Sequence, residues 1–152
     1  MKLDYIDAED NEIAPSSERC LELWDEVLKT LNKFTVQELK ELSVIELIQK
    51  LNIYVIPFSN LTVKEFTDLK SIAPTLWDEG LCWDSGKGKM YIYYNDKLDS
   101  GKTSIVLFHE LAHLLLNHTQ QSAHAEAEAF FFAGFCLGTI EFIKRNKQKE
   151  AA

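Results

Sequence analysis

The sequence predicts an α+β fold, and three observations predict it. Apolar residues recur at helical spacing before residue 52 and after residue 103, while runs rich in β-branched and aromatic residues lie between them. The two kinds of element are segregated along the chain rather than alternating, which argues against a parallel β/α repeat. At 152 residues, with 46% hydrophobic and 26% charged content, the chain has the composition of an ordinary globular protein and length enough for one sizeable core.

The elements follow in order. Residues 1–15 are polar and acidic (Asp4, Asp7, Glu9, Asp10, Glu12), end at Pro15, and read as a loosely held arm. A first helix begins at Ser16 or Ser17, with Cys20, Leu21, Trp24, Val27, Leu28 and Leu31 at helical spacing. A second follows Thr35, carries Leu39, Leu42, Ile45, Leu47, Ile48 and Leu51, and is expected to kink near Ser43. Ile53-Tyr54-Val55-Ile56, closed by Pro57, reads as a strand. Residues 60–76, ended by Pro74, fit either a short helix or a packed loop through Leu61, Val63, Phe66 and Leu69. Gly80-Leu81-Cys82-Trp83-Asp84 and Lys89-Met90-Tyr91-Ile92-Tyr93-Tyr94 flank Ser85-Gly86-Lys87-Gly88, a turn that joins hairpin strands. A small antiparallel sheet is therefore expected before the next helix. The last helix starts near Ser122 and runs to about Lys144.

Charge and targeting narrow the function classes. A net charge of -8 argues against a nucleic-acid surface, and the one basic cluster, Lys144-Arg145-Asn146-Lys147-Gln148-Lys149, suits the negative end of a final helix dipole. No apolar run is long enough to span a bilayer, and the acidic start lacks the features of a signal peptide, so a cytoplasmic protein is expected. Cys20, Cys82 and Cys136 are odd in number and widely spaced, which fits buried reduced thiols better than a disulfide framework. Asp96-Lys97-Leu98-Asp99-Ser100-Gly101-Lys102-Thr103 sits where a phosphate loop would, but Asp96 occupies the place of its first glycine and Asp99 would repel phosphate. It reads as the entry turn of the following helix.

That helix carries His109-Glu110-Leu111-Ala112-His113. Histidines four residues apart lie one turn apart on one helix face, so both imidazoles can reach a single metal ion. The HExxH spacing is the zinc-peptidase signature because neutral imidazoles ligate zinc, a position remains for water, and the carboxylate between them can take that water's proton. A third protein ligand is needed, and Glu126 and Glu128 arrive on the next helix. Periodicity does not choose between them: Glu126 shares a face with Phe130 and Ala133, Glu128 with Phe131, Phe132 and Phe135. The one left over would be a solvated carboxylate or a partner holding an imidazole N–H. His118 and His124 are rival ligands, read as exposed loop histidines for want of a defined ligand spacing.

HELAH, LLLNH and then Glu126-Ala127-Glu128-Ala129-Phe130-Phe131-Phe132-Ala133 resemble the ImmA/IrrE family of zinc-dependent metallopeptidases, whose pattern is HELGH, a short loop, and E-x-x-A-N-x-F-A. Ile92-Tyr93-Tyr94-Asn95 resembles the family's strand before the active-site helix, and the likeness spans residues 53–137. Ala112 replaces the usual Gly, Phe130 stands where the family has Asn or Asp, and the L-M-P after the second motif is absent.

The resemblance implies a zincin-like minimal metallopeptidase domain. One domain over residues 1–152 is expected, with N-terminal helices at 16–52 and the zincin-like core at 53–146. It also implies Zn2+ on His109, His113 and, as the first Glu of E-x-x-A, Glu126. Glu110 would then act as general base, and Tyr91, Tyr93 or Tyr94 would donate to the oxyanion. Members are associated with phages, integrative elements and stress responses, so the implied substrate is a helix-turn-helix repressor. The alternative is a non-catalytic module that keeps the fold and metal for binding or sensing. The intact Glu110 favours chemistry.

Overall fold

One face of a three-stranded sheet packs against the helices, and the candidate site forms where an edge strand of that sheet meets a packed pair of them. The structure, a computed structural model, describes residues 5–7, 13–72, 79–119 and 122–151. The elements are β1 (Tyr5–Asp7), β2 (Ile13–Pro15), α1 (Ser17–Leu31), α2 (Val36–Glu41), α3 (Val44–Lys50), β3 (Ile53–Pro57), α4 (Val63–Ile72), β4 (Gly80–Asp84), β5 (Met90–Tyr94), α5 (Ser100–Leu115) and α6 (Ala123–Ala151). With six helices and this small sheet among the described residues, the fold is α+β, as predicted.

Side-chain caps set most helix starts. Ser16, Thr35 and Ser43 each accept the backbone N–H three residues on, and Glu38 and Glu46 complete capping boxes with Thr35 and Ser43. The expected kink at Ser43 is therefore a break, because the Ser43 cap begins a new helix there. Thr62 and Glu65 cap α4 in the same reciprocal way, at 3.1 and 3.2 Å, which resolves the ambiguous segment as a helix. The assignment of Pro74 as its end lies outside the described residues.

Three expectations are corrected. The arm at residues 1–15 contains an antiparallel ribbon, β1 with β2, and β2 lies against α1 and α6. Three-residue strands leave no periodicity to read. Residues 1–4 and 8–12 of that arm lie outside the described residues. The main sheet is mixed rather than antiparallel: its order is β3-β5-β4, with β3 and β5 parallel and β4 and β5 forming the expected hairpin. The chain leaves β3, crosses through α4, and returns by way of β4, so β3 meets β5 in the same direction. Of the cysteines only Cys136 is buried; Cys20 and Cys82 are partly exposed, and all are free.

The sheet is two-faced. Ile53, Val55, Cys82, Met90, Ile92 and Tyr94 join a core completed by Leu47 and Ile48 of α3, Leu107 and Leu111 of α5, and Phe132 and Cys136 of α6. On the other face Tyr54, Tyr91 and Trp83 stand in register across the three strands and stack, with ring centroids 5.1 and 5.6 Å apart. Among the described residues no helix is long and apolar enough to cross a membrane.

Candidate metal centre

Asp99 caps α5 by accepting the Lys102 N–H at 2.8 Å, and Thr103 Oγ1 donates to the Asp99 carbonyl at 2.8 Å. Gly101-Lys102-Thr103 is thus the first helical turn, with Lys102 paired to Glu79 at 2.6 Å. Beyond that turn α5 is buried from Val106 to Ala112 because α6, α3, β4 and β5 all pack on it. His109 is 0% exposed and Glu110 5%.

The two histidines present their Nε2 atoms to one point, 3.2 Å apart. α6 delivers Glu126 to the same point. Ser122 Oγ accepts the Ala125 N–H at 3.0 Å and starts that helix, so Glu126 lies in its first turn, where a carboxylate suits the dipole. Its Oε2 is 2.8 Å from His109 Nε2 and its Oε1 is 2.9 Å from His113 Nε2. Burial pushes the Glu126 carboxyl up, but the two imidazoles against its oxygens outweigh it and hold the group down at about 2.

A cluster of two imidazole nitrogens and a carboxylate oxygen, all within 4.8 Å of one another, is a donor set that fits a metal ion. Ligands at tetrahedral zinc distances stand roughly 3.3 Å apart. The separations of 2.8, 2.9 and 3.2 Å here are close to that spacing.

Glu110 turns toward β4. Gly80 leaves room for it: a Cβ there would stand 3.5 Å from Glu110 Cγ and only 2.7 Å from Val106 Cγ1. The Cys82 thiol lies on the same face of β4, beside the Glu110 carboxylate. Burial pushes the Glu110 carboxyl above its ordinary range, opposed by His113, His109 and the Cys82 thiol and reinforced by Glu126. Burial and the same carboxylate push the Cys82 thiol far up, so it stays protonated and able to donate.

Glu126 and Glu128, which periodicity leaves undecided, point about 200° apart on a helix and cannot serve one ion together. Glu126 meets the histidines; Glu128 is buried against Arg19, which donates to it at 2.7 and 3.0 Å. Of the two roles left open for the second carboxylate, Glu128 takes that of the partner holding an imidazole, and that imidazole is His118, 3.1 Å away. His118 is not an exposed loop histidine: it is half-buried, and burial, with repulsion from His113 and Arg19, pushes it down to about 4. His124 is exposed, as expected, but it lies in the first turn of α6 rather than in a loop.

Two of the three candidate tyrosines are placed differently from expectation. Strand alternation turns Tyr91 and Tyr93 to the face opposite Glu110, where they stack 6.1 Å apart, and Tyr94 packs against the core cluster. Phe130 lies at the site, its ring 4.3 Å from that of His109. Arg19, Gly80 and Cys82 carried no signal of a role at the site. They reach it through tertiary contacts that no local spacing encodes.

No curated protein and no solved structure matched the chain in comparison. The model of the IrrE N-terminal-like domain, Peptidase_M78, matches residues 49–149, which include β3 to β5, both site helices and all four HExxH and Glu126 side chains. The chain belongs to this IrrE N-terminal-like peptidase family.

Proposed function

We propose that the protein is a zinc metalloendopeptidase of the cytoplasm that cleaves a specific protein partner, such as the helix-turn-helix repressor of a phage or mobile element. The observation that carries this reading is the meeting of His109, His113 and Glu126 donor atoms beside the buried carboxylate of Glu110. Zinc bound there would supply a Lewis acid that acidifies water and polarises a carbonyl. His109, His113 and Glu126 would hold it. Glu110 takes a proton from the attacking water and passes it to the leaving amine. Its burial supports this role, because a carboxyl raised above its ordinary range is a stronger base and a ready proton donor in turn. The sheet supports a peptide-binding mode: β4 is an edge strand beside Glu110, and an extended substrate segment added to that edge would be held through its backbone.

The test is metal analysis followed by incubation with a candidate repressor encoded nearby. Wild type and Glu110→Gln are expected to carry equal, stoichiometric zinc, and the variant to cleave about 10²–10⁴-fold more slowly. Zinc without Glu110-dependent cleavage of any partner would favour a binding or sensing module instead. A chain that takes up no metal would remove both readings.

A further inference from the structure

His113 sits at one end of a hydrogen-bond chain that crosses from the site to the first helix of the protein. Its Nδ1 is 3.0 Å from His118 Nδ1, and His118 Nε2 is 3.1 Å from Glu128 Oε1. Glu128 accepts from Arg19 at both oxygens, Nη2 to Oε1 at 2.7 Å and Nε to Oε2 at 3.0 Å, across 109 residues of sequence. Arg19 belongs to α1, which precedes the family-matched residues 49–149.

The helix ending brings His118 there. Leu116 is the C-cap of α5, Asn117 takes a left-handed φ of 56°, and the His118 N–H bonds the His113 carbonyl at 3.0 Å while Asn117 N bonds Leu114 O at 3.4 Å. This is a Schellman ending. It folds the residue after the turn back over the last ligating histidine.

The polarity of the chain follows from its far end. A guanidinium only donates, and a carboxylate beside it only accepts. His118 must therefore present Nε2–H to Glu128, and a neutral imidazole then has only a lone pair at Nδ1. His113 must donate Nδ1–H to that lone pair, which leaves its Nε2 lone pair facing His109 and Glu126. Two acceptors 2.9 Å apart, that lone pair and Glu126 Oε1, repel unless a cation lies between them.

We infer that Arg19, Glu128 and His118 are positioning residues that fix the ring and tautomer of His113 for metal binding, so that helix α1 is part of the metal centre. This rests on His113 being a zinc ligand, as proposed above.

Zinc affinity measured by chelator competition on the full chain tests it. His118→Phe keeps a ring against His113, whose centroid is 5.1 Å away, but removes the acceptor and the donor. His118→Gln keeps an acceptor and a donor without the ring. The inference expects a loss of about 10–100-fold for His118→Phe, partial recovery with His118→Gln, and a smaller loss for Arg19→Leu. A role in packing alone would reverse the order of the two His118 variants. Nitrogen-15 NMR of the zinc-loaded wild type is expected to find the His113 proton on Nδ1, exchanging faster in His118→Phe. If wild type binds zinc and His118→Phe binds it as tightly, or His113 ligates through Nδ1, the inference is wrong and the zinc reading stands. If wild type takes up no zinc, the zinc reading fails and takes the inference with it.

Discussion

The two histidines of the candidate site are set by different forces. His109 is held in packing: it is fully buried among apolar residues of α5, with the Phe130 ring against its own. His113, one turn on, is partly exposed and is held by directional hydrogen bonds that end at Arg19. Glu126 spans both, one carboxylate oxygen to each ring. Packing fixes where a ring sits but tolerates its tautomer, whereas a hydrogen-bond chain fixes which nitrogen carries the proton. One half of the site is therefore expected to respond to changes of volume and the other to changes of polarity.

The largest effect is expected where the halves join. Glu126→Ala removes the carboxylate common to both rings, and zinc affinity by chelator competition is expected to fall by more than the about 10–100-fold that follows from disturbing an outer partner. Glu128→Gln is expected to stay within that lesser range. If Glu128→Gln proved the more damaging of the two, the roles of the two carboxylates would have to be exchanged.

This division explains what could be read from the chain. His109, Glu110 and His113 were legible because their spacing and their apolar neighbours are local, and the helix is the direct consequence of both. The choice of Glu126 over Glu128 came from the family resemblance and not from periodicity, because the partner that claims Glu128 is Arg19, and a contact 109 residues away leaves no mark on helical spacing. Likewise, the strands around Ile53 and Tyr91 were legible from their residue types. Their parallel pairing was not, since a strand's pattern fixes its faces and not its neighbour's direction. Some signals were present but unused. Thr62 with Glu65, and Ser43 with Glu46, are capping boxes in the sequence, and they mark the start of α4 and the break before α3.

On the polar side, Arg19→Leu leaves the buried Glu128 charge without its forked partner. Breaking a buried pair on one side costs about 3–5 kcal/mol, and since Arg19 is 24% exposed the expected loss is about 3. Urea unfolding would register it as a lower midpoint at unchanged slope. Arg19→Lys keeps the charge but not the fork and is expected to lose less. Equal stability of Arg19→Leu and wild type would mean that the polar half is not held from α1.

Gly80→Ala probes the wall behind Glu110. The new Cβ would stand 2.7 Å from Val106 Cγ1 and 3.1 Å from the Tyr93 carbonyl oxygen, and the second of these is backbone that cannot swing away. Overpacking of this kind costs typically 1–3 kcal/mol, so a loss of about 2 is expected. Because Glu110 Cγ is 3.5 Å away, cleavage is expected to fall further than zinc affinity does. A variant that loses zinc and keeps its activity per bound ion would show instead that the strand presses on the ligands rather than on the base.

The smallest effect is expected on the packed side. Phe130 is 46% exposed, so its truncation to Ala removes apolar cover from His109 without opening a closed cavity. A fully buried Phe→Ala costs about 3–5 kcal/mol; here about 1 is expected, a shift of a few degrees in melting temperature. The ring offers no donor or acceptor, so zinc affinity is expected to change by less than about tenfold, below the range for outer hydrogen-bond partners. Comparing Phe130→Ala with His118→Phe therefore sets loss of volume at one imidazole against loss of polarity at the other. If Phe130→Ala weakened zinc binding as much as His118→Phe, packing would be governing both rings, and the contrast between His109 and His113 would collapse.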